Sequence, residues 1–275
     1  MRVTIIFAII IFVLPDIKGQ IIDSQTYNAD SIRSEFDKRP YFGLMKDNYF
    51  AFGSSTFYKP TSDNSIIKIQ LSISQRLTKS KLPFDSYLFI AHTQKINWNI
   101  FKSSAPINEL YFNPAIGLSR LLIKENKYIG KSTLMVEHES NGKDGVNSRS
   151  LEKLTLATSL LLRRNLELQV KIWIPYIDGE NNQDILKYTG IFQVGSDYKM
   201  LTDKLRMSAI ITKRSGWGLN FNTAFELSYK HSQKSNQFFF IQYYNGYGES
   251  LTEYKTFSNS IRVGFVIKPT DFSFY

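Results

Sequence analysis

The sequence predicts an all-β protein, a twelve-stranded antiparallel transmembrane β-barrel. Apolar and polar residues alternate along about twelve runs of about ten residues, the length that a tilted strand needs to cross a bilayer. Aromatic residues are plentiful, with 16 Tyr and 21 Phe, as the girdles at the two membrane interfaces require. After residue 20 no apolar run reaches the roughly 18 residues of a membrane helix.

The alternating runs follow one another along the chain, with turn-like stretches between them. In segment 65–77, Leu71 and Ile73 share one face of the predicted strand, while Lys68 and Gln70 point to the other. The runs begin near Asn48, Ser65, Asp85, Leu110, Tyr128, Leu151, Asn165, Leu186, Lys204, Trp217, Asn236 and Asn259.

The two ends of the chain indicate export to the outer membrane. Arg2 precedes an apolar core too short to span a bilayer comfortably, so we expect residues 1–19 to be a signal peptide, with a retained anchor helix as the alternative. Residues 20–46 are expected to form a periplasmic N-terminal segment and residues 47–275 the barrel. The chain ends in DFSFY, which resembles the C-terminal signal of bacterial outer-membrane barrels.

Composition and spacing exclude several kinds of site. The chain has no cysteine, so it holds no disulfide and no thiolate metal site. The net charge of +10 comes without a block of Lys and Arg and without a nucleic-acid motif, so no nucleic-acid partner is expected. His138 and Glu139 begin a zinc-binding pattern, but Gly142 stands where that pattern needs its second His, so no zinc site is expected.

Polar side chains interrupt an apolar face where two predicted strands are joined by residues 141–150. His138 and Ser140 continue the apolar face of one strand, and Glu152 lies on the leucine-rich face of the next. In a barrel these faces contact lipid, where such groups are costly unless they pair with one another. Facing side chains on adjacent antiparallel strands are about 4.5–5.5 Å apart, which brings a His–carboxylate hydrogen bond within reach.

These side chains supply the groups of nucleophilic catalysis, namely a nucleophile in Ser140, a base in His138 and an orienting group in Glu152. Ser140 lies roughly 6.5–7 Å along the strand from His138, so the strand must bend to bring them together. Asn141 and Gly142 favour such a turn, whose freed N–H groups can form an oxyanion hole. The alternative is a structural histidine beside an ordinary turn.

The segment HESNGKDGVNSRS resembles the active-site segment of the bacterial outer-membrane phospholipase A family, which runs His-x-Ser-Asn-Gly and then Ser-Arg-Ser. Segments 181–193, 244–254 and 260–268 are similar to family segments in the same order, and segment 91–114 is similar more loosely. The resemblance implies a twelve-stranded outer-membrane barrel, active as a homodimer. It also implies an esterase that hydrolyses acyl ester bonds of membrane phospholipids and lysophospholipids with Ca2+.

The resemblance also implies roles for individual residues. His138 is expected to be the base and Ser140 the nucleophile, with the backbone N–H groups of Ser140 and Gly142 holding the oxyanion. The family has Asn as the third member of the triad, where this sequence has Glu152. We expect the carboxylate of Glu152 to orient His138 and to stabilise the imidazolium.

Calcium is implied at the loop that follows the serine. The family binds it through backbone carbonyl groups, which match Lys143 and Ser148 here, and through a serine hydroxyl of the other subunit. Ser104 is the best match for that serine, and the neighbouring Ser103 is close enough to compete with it.

Two other protein classes share the alternating pattern. A non-enzymatic barrel, either a pore or an adhesin, would also place Lys68, Lys153 and Arg163 in its lumen. A soluble periplasmic lipase-like sandwich would also alternate, but the sequence lacks the Gly-x-Ser-x-Gly motif of the common soluble lipases.

Overall fold

The computed structural model describes residues 28–177, 181–201, 203–232 and 234–269. The predicted signal peptide and the C-terminal DFSFY lie outside these residues. Among the described residues, no helix is long and apolar enough to cross a bilayer. The helices and strands of this part of the chain are α1 (Ala29–Lys38), β1 (Phe42–Leu44), β2 (Asn48–Ser55), β3 (Ser65–Arg76), β4 (Ser86–Trp98), β5 (Ile107–Lys124), β6 (Lys127–Ser140), β7 (Ser150–Arg163), β8 (Leu166–Tyr176), α2 (Leu186–Thr189), β9 (Phe192–Met200), β10 (Leu205–Lys213), β11 (Phe221–Tyr229), β12 (Gln237–Gly246) and β13 (Ser258–Ile267).

The strands close into a barrel. From β2 to β13 each strand pairs antiparallel with the next, and β13 pairs with β2. The predicted twelve-stranded antiparallel barrel is therefore confirmed. The short β1 is added at one end, where it pairs with the last residues of β3.

The faces of the barrel are apolar outside and polar inside, which is the reverse of a water-soluble domain. On β3, Leu71 is 54% exposed and Ile73 42% exposed, whereas Lys68, Gln70 and Ser72 are buried. The predicted alternation is present because successive side chains of a strand point to opposite faces. An outward apolar band is the surface that lipid requires.

The lumen is filled by paired charges. Lys268 bridges Asp47 and Glu226, and Lys153 pairs with Glu139. Buried charges are tolerated when they are paired in this way. Lys68 and Lys153 are buried as predicted, but the placement of Arg163 in the lumen is wrong. Arg163 is exposed at the end of β7, because the register with β8 shifts just before it and breaks the alternation.

The N-terminal segment contains a helix, α1, that was not predicted from the sequence. The side chain of Asn28 caps α1 by accepting hydrogen bonds from two N–H groups of its first turn. At the other end, the guanidinium of Arg76 on β3 donates to the carbonyl oxygens of Phe36, Asp37 and Arg39. Because Arg76 lies at the end of β3, this contact fastens α1 to that end of the barrel.

Nine of the twelve predicted strand starts lie within one residue of the structure, and three differ by more. Leu110 lies inside β5, which begins at Ile107. Leu186 begins the short helix α2, and the strand follows at Phe192. Trp217 lies in a turn, and β11 begins at Phe221.

Candidate active site

The predicted site lies where β6 ends and β7 begins. The register of the two strands places His138 directly opposite Glu152. The Nδ1 atom of His138 lies 2.7 Å from Oε1 of Glu152. Because a carboxylate only accepts, Nδ1 carries the proton in this hydrogen bond, and Nε2 is left as the basic nitrogen. The structure thus brings the predicted base and orienting group together.

Both side chains stand on the outer surface of the barrel. The side chain of His138 is 43% exposed and that of Glu152 is 33% exposed. Their outward neighbours on the same strands, Val136 and Leu154, are exposed apolar side chains. The second carboxylate oxygen of Glu152, Oε2, is buried and has no hydrogen-bond partner among the described residues. The hydrogen bond to His138 is thus the interaction that binds this carboxylate.

Ser140 is the last residue of β6 and is half-buried. The register pairs it with Phe112 on β5 and with Ser150 on β7. Among the described residues, no hydrogen bond joins the Ser140 hydroxyl to His138. The structure therefore places the two side chains on one face, two residues apart, without the direct hydrogen bond that a bend of the strand was predicted to allow.

Asn141 organises the loop between β6 and β7. It is buried, and its Oδ1 accepts hydrogen bonds from the N–H groups of Lys143 at 3.3 Å and Arg149 at 3.0 Å. Its Nδ2 donates to the carbonyl oxygen of Asn147 at 2.9 Å. The same group also lies 3.3 Å from the hydroxyl of Thr252 in another loop. In the sequence Asn141 is recognisable only as a turn residue, and this role in the loop was not predicted.

Gly142 follows with a left-handed backbone, at φ +62°. A Cβ atom at this position would lie 2.7 Å from Cε2 of Phe112, so the ring of Phe112 covers the glycine. Both features favour glycine over other residues. The N–H of Gly142 donates to none of the described residues, which leaves it available to an oxyanion.

Two of the predicted calcium positions, Lys143 and Ser148, lie in the same loop and offer oxygen donors, as a hard cation prefers. Among the described residues, the carbonyl of Lys143 accepts no hydrogen bond, whereas the carbonyl of Ser148 accepts one from the guanidinium of Arg149 at 2.7 Å. This leaves Ser148 its hydroxyl and a second carbonyl lone pair. Ser103 and Ser104 are both exposed in the loop between β4 and β5, at the same end of the barrel.

Carboxylates do not gather at these positions. In the described part of the chain, no group of three or more His, Asp or Glu side chains could hold a metal ion. The loop itself offers backbone and hydroxyl oxygens, which are donors that calcium accepts.

Comparison with known proteins identifies the family. The family model described as "Phospholipase A1" matches residues 42–267. The chain belongs to the phospholipase A1 family. It is therefore a carboxylic ester hydrolase, and its barrel is an outer-membrane barrel, as predicted. Phospholipase A1 of Escherichia coli K12 is 30% identical over 208 residues, which cover 72% of this chain and 67% of that protein. Phospholipase A1 of Proteus vulgaris is 26% identical over 277 residues, which cover 94% of this chain and 89% of that protein.

Solved structures show the same fold. Outer membrane phospholipase A from Escherichia coli superposes with a TM-score of 0.73 at 23% identity, covering 84% of this chain and 93% of that one. The outer membrane phospholipase of Salmonella typhi was crystallised as a dimer with bound calcium. It superposes with a TM-score of 0.73 at 22% identity, covering 89% of this chain and 98% of that chain.

Proposed function

We propose that this phospholipase hydrolyses the acyl ester bonds of phospholipids and lysophospholipids with a Ser140–His138–Glu152 site on its lipid-facing surface. The observation that carries the proposal is the 2.7 Å contact between Nδ1 of His138 and Oε1 of Glu152 on the outer face of the barrel. A histidine held in this way by a carboxylate, beside a serine, is the arrangement of a hydrolytic triad.

In the proposed reaction, Glu152 accepts the hydrogen bond from Nδ1–H and leaves Nε2 of His138 free to act as the base. Nε2 takes the proton of Ser140 while Oγ attacks the ester carbonyl carbon. His138 then gives this proton to the leaving alcohol, and an acyl-enzyme remains on Ser140. Water, deprotonated by His138, releases the fatty acid and restores the serine.

Two sets of neighbours support this chemistry. The N–H of Gly142 donates to none of the described residues, which supports it as a donor for the oxyanion. The N–H of Ser140 is proposed as the second donor, although Ser140 also belongs to the β5–β6 pairing. The exposed side chains of Val136 and Leu154 give the site an apolar approach. A phospholipid lying beside the barrel can thus present its ester without leaving the leaflet.

Calcium is proposed as the cofactor. The residues that would hold it are Lys143, through its carbonyl, Ser148, through its carbonyl or hydroxyl, and Ser104 of a second copy. When bound, calcium would act as a Lewis acid that polarises the ester carbonyl. The exposed loop position of Ser104 and the calcium-bound dimer of the Salmonella typhi protein support a homodimer as the active state.

The test is fatty-acid release from a phospholipid in detergent micelles, with calcium and then with EDTA, for the wild type and Ser140→Ala. We expect release that requires both calcium and Ser140. Ser132→Ala is the matched control, because Ser132 lies on β6 far from the site and its hydroxyl contacts Thr158. Folding of each variant is checked by the faster gel migration of an unboiled barrel. Full activity in folded Ser140→Ala would overturn the proposal.

A further inference from the structure

The pairing of β5 with β6 is interrupted opposite His138. Phe112 pairs with Ser140 and Ala115 with Glu137, but the two pairs between them are missing from the ladder. In the same register Pro114 stands opposite His138. On its other side Pro114 pairs without interruption with β4. The N and C=O of one strand residue face the same neighbouring strand. Because the missing N–H of Pro114 interrupts the pairing with β6 and not the pairing with β4, the backbone N and C=O of Pro114 face β6.

Proline at this position removes a hydrogen-bond donor. Pro114 has no N–H, so the carbonyl oxygen of His138 lacks the ladder bond that any other residue would provide. A backbone carbonyl left without a partner inside a sheet costs free energy and loosens the strand at that point.

The side chain of Asn113 replaces the missing donor. Its Nδ2 donates to the carbonyl oxygen of His138 at 3.1 Å from the lumen side of the wall, where Asn113 is 2% exposed. Its Oδ1 accepts a hydrogen bond from Nζ of Lys46 at 3.0 Å. A carbonyl only accepts, so Nδ2 must face the carbonyl of His138 and Oδ1 must face Nζ of Lys46, which fixes the orientation of the amide. A carboxylate at position 113 could not bond to both.

We propose that Asn113 is a positioning residue for the reaction. From inside the barrel it holds the backbone of His138, while the imidazole of His138 acts as the base on the outer surface. The inference rests on the proposed role of His138 as the base. The imidazole of His138 must reach Glu152 with Nδ1 and Ser140 with Nε2 at the same time, and small displacements of a catalytic group lower the rate steeply. Lys46, which enters the lumen from the N-terminal segment, orients the amide of Asn113.

The test compares Asn113→Ala, Pro114→Ala and the double variant in the micelle assay with calcium. Asn113→Ala is expected to lower kcat about tenfold with little change in KM, because a hydrogen bond that positions the base is lost. Pro114→Ala restores an N–H opposite His138, so the double variant is expected to recover most of the lost kcat. A role in lumen packing alone would not be rescued by a change in the backbone of the next residue.

Two further variants complete the experiment. Asn113→Asp keeps the size of the side chain, but its carboxylate cannot donate a hydrogen bond, so it is expected to lose activity like Asn113→Ala. If Asn113→Ala does not fold, Asn113→Asp replaces it in the test. Ser119→Ala is the control and is expected to keep the wild-type rate, since Ser119 also donates from the lumen face of β5 to a β6 carbonyl, that of Ser132, away from the site.

The outcomes separate this inference from the proposed function. Wild-type kcat in folded Asn113→Ala, or a folded double variant no faster than Asn113→Ala, would overturn the positioning role. Ser140→Ala is measured in the same series. If Ser140→Ala is inactive while Asn113→Ala is fully active, only the positioning role fails. If Ser140→Ala is active, the catalytic assignment fails.

Discussion

Replacing Glu152 tests the part of the site that departs from the family pattern. Nδ1 of His138 lies 2.7 Å from Oε1 of Glu152, a length typical of a charge-assisted hydrogen bond. Such bonds are worth about 1.5–3 kcal/mol, and because both side chains are partly exposed we take the lower end. If that energy acts on the imidazolium of the transition state, Glu152→Gln lowers kcat about tenfold. Glu152→Leu, which removes the orienting group entirely, is expected to lower it further.

The assay is the initial rate of fatty-acid release at saturating phospholipid in micelles with calcium. Thr158→Ala, on the same outward face of β7, is the control and is expected to match the wild type. The stability of each barrel is followed as the temperature at which its fast-migrating gel form is lost, and Glu152→Leu is expected to be at least as stable as the wild type. A kcat within twofold of the wild type in folded Glu152→Leu would refute the role of Glu152.

Two further predictions concern a glycine and a lumen charge. Gly142→Ala should abolish most fatty-acid release from a folded barrel, because φ +62° is strained for alanine and its Cβ would meet Phe112 at 2.7 Å; wild-type rates would contradict this. Burial opposes ionisation of Glu249, but the charges of Lys68 and Arg262 outweigh it and lower its pKa from 4.5 to about 2. A lowered folded-state pKa gives stability that is present above pH 4.5 and is lost as the pH falls toward 2, amounting to about 3 kcal/mol. Urea unfolding between pH 2 and 6 should therefore show a flatter pH dependence for Glu249→Gln, and identical slopes would show that this pairing does not stabilise the barrel.

The alternation of the sequence predicted the strands and their faces because lipid and lumen impose opposite requirements on successive residues. It failed where apolar residues serve a loop instead. Ile185 is fully buried against Leu251 and Tyr254 in the loops. The apolar residues near Leu186 therefore pack within the loops, although in the sequence they look like the start of a strand. Trp217 is fully exposed at a turn, which no alternation can distinguish from an outward strand residue.

The pairing of His138 with Glu152 could be predicted, because both residues lie close to one short connection and the register across it is tightly limited. The role of Asn113 could not. Alternation shows only that Asn113 faces the lumen. Whether the carbonyl of His138 loses its backbone N–H donor depends on whether the backbone of Pro114 faces β4 or β6, which alternation does not show. Asparagine followed by proline inside a predicted strand is the signal that points to such a break.

The unsatisfied oxygen of Glu152 bears on why a carboxylate is present at all. Oε2 is buried without a hydrogen-bond partner among the described residues, so the carboxylate is poorly stabilised while His138 is neutral. In the proposed reaction His138 takes the proton of Ser140, and Nδ1 of the resulting imidazolium would lie 2.7 Å from the other oxygen of the same carboxylate. Under this proposal the interaction would be stronger in the transition state than in the resting enzyme, which is the condition for lowering a reaction barrier. A neutral amide would orient His138 without this difference, so Glu152 should act on kcat more than on the stability of the barrel.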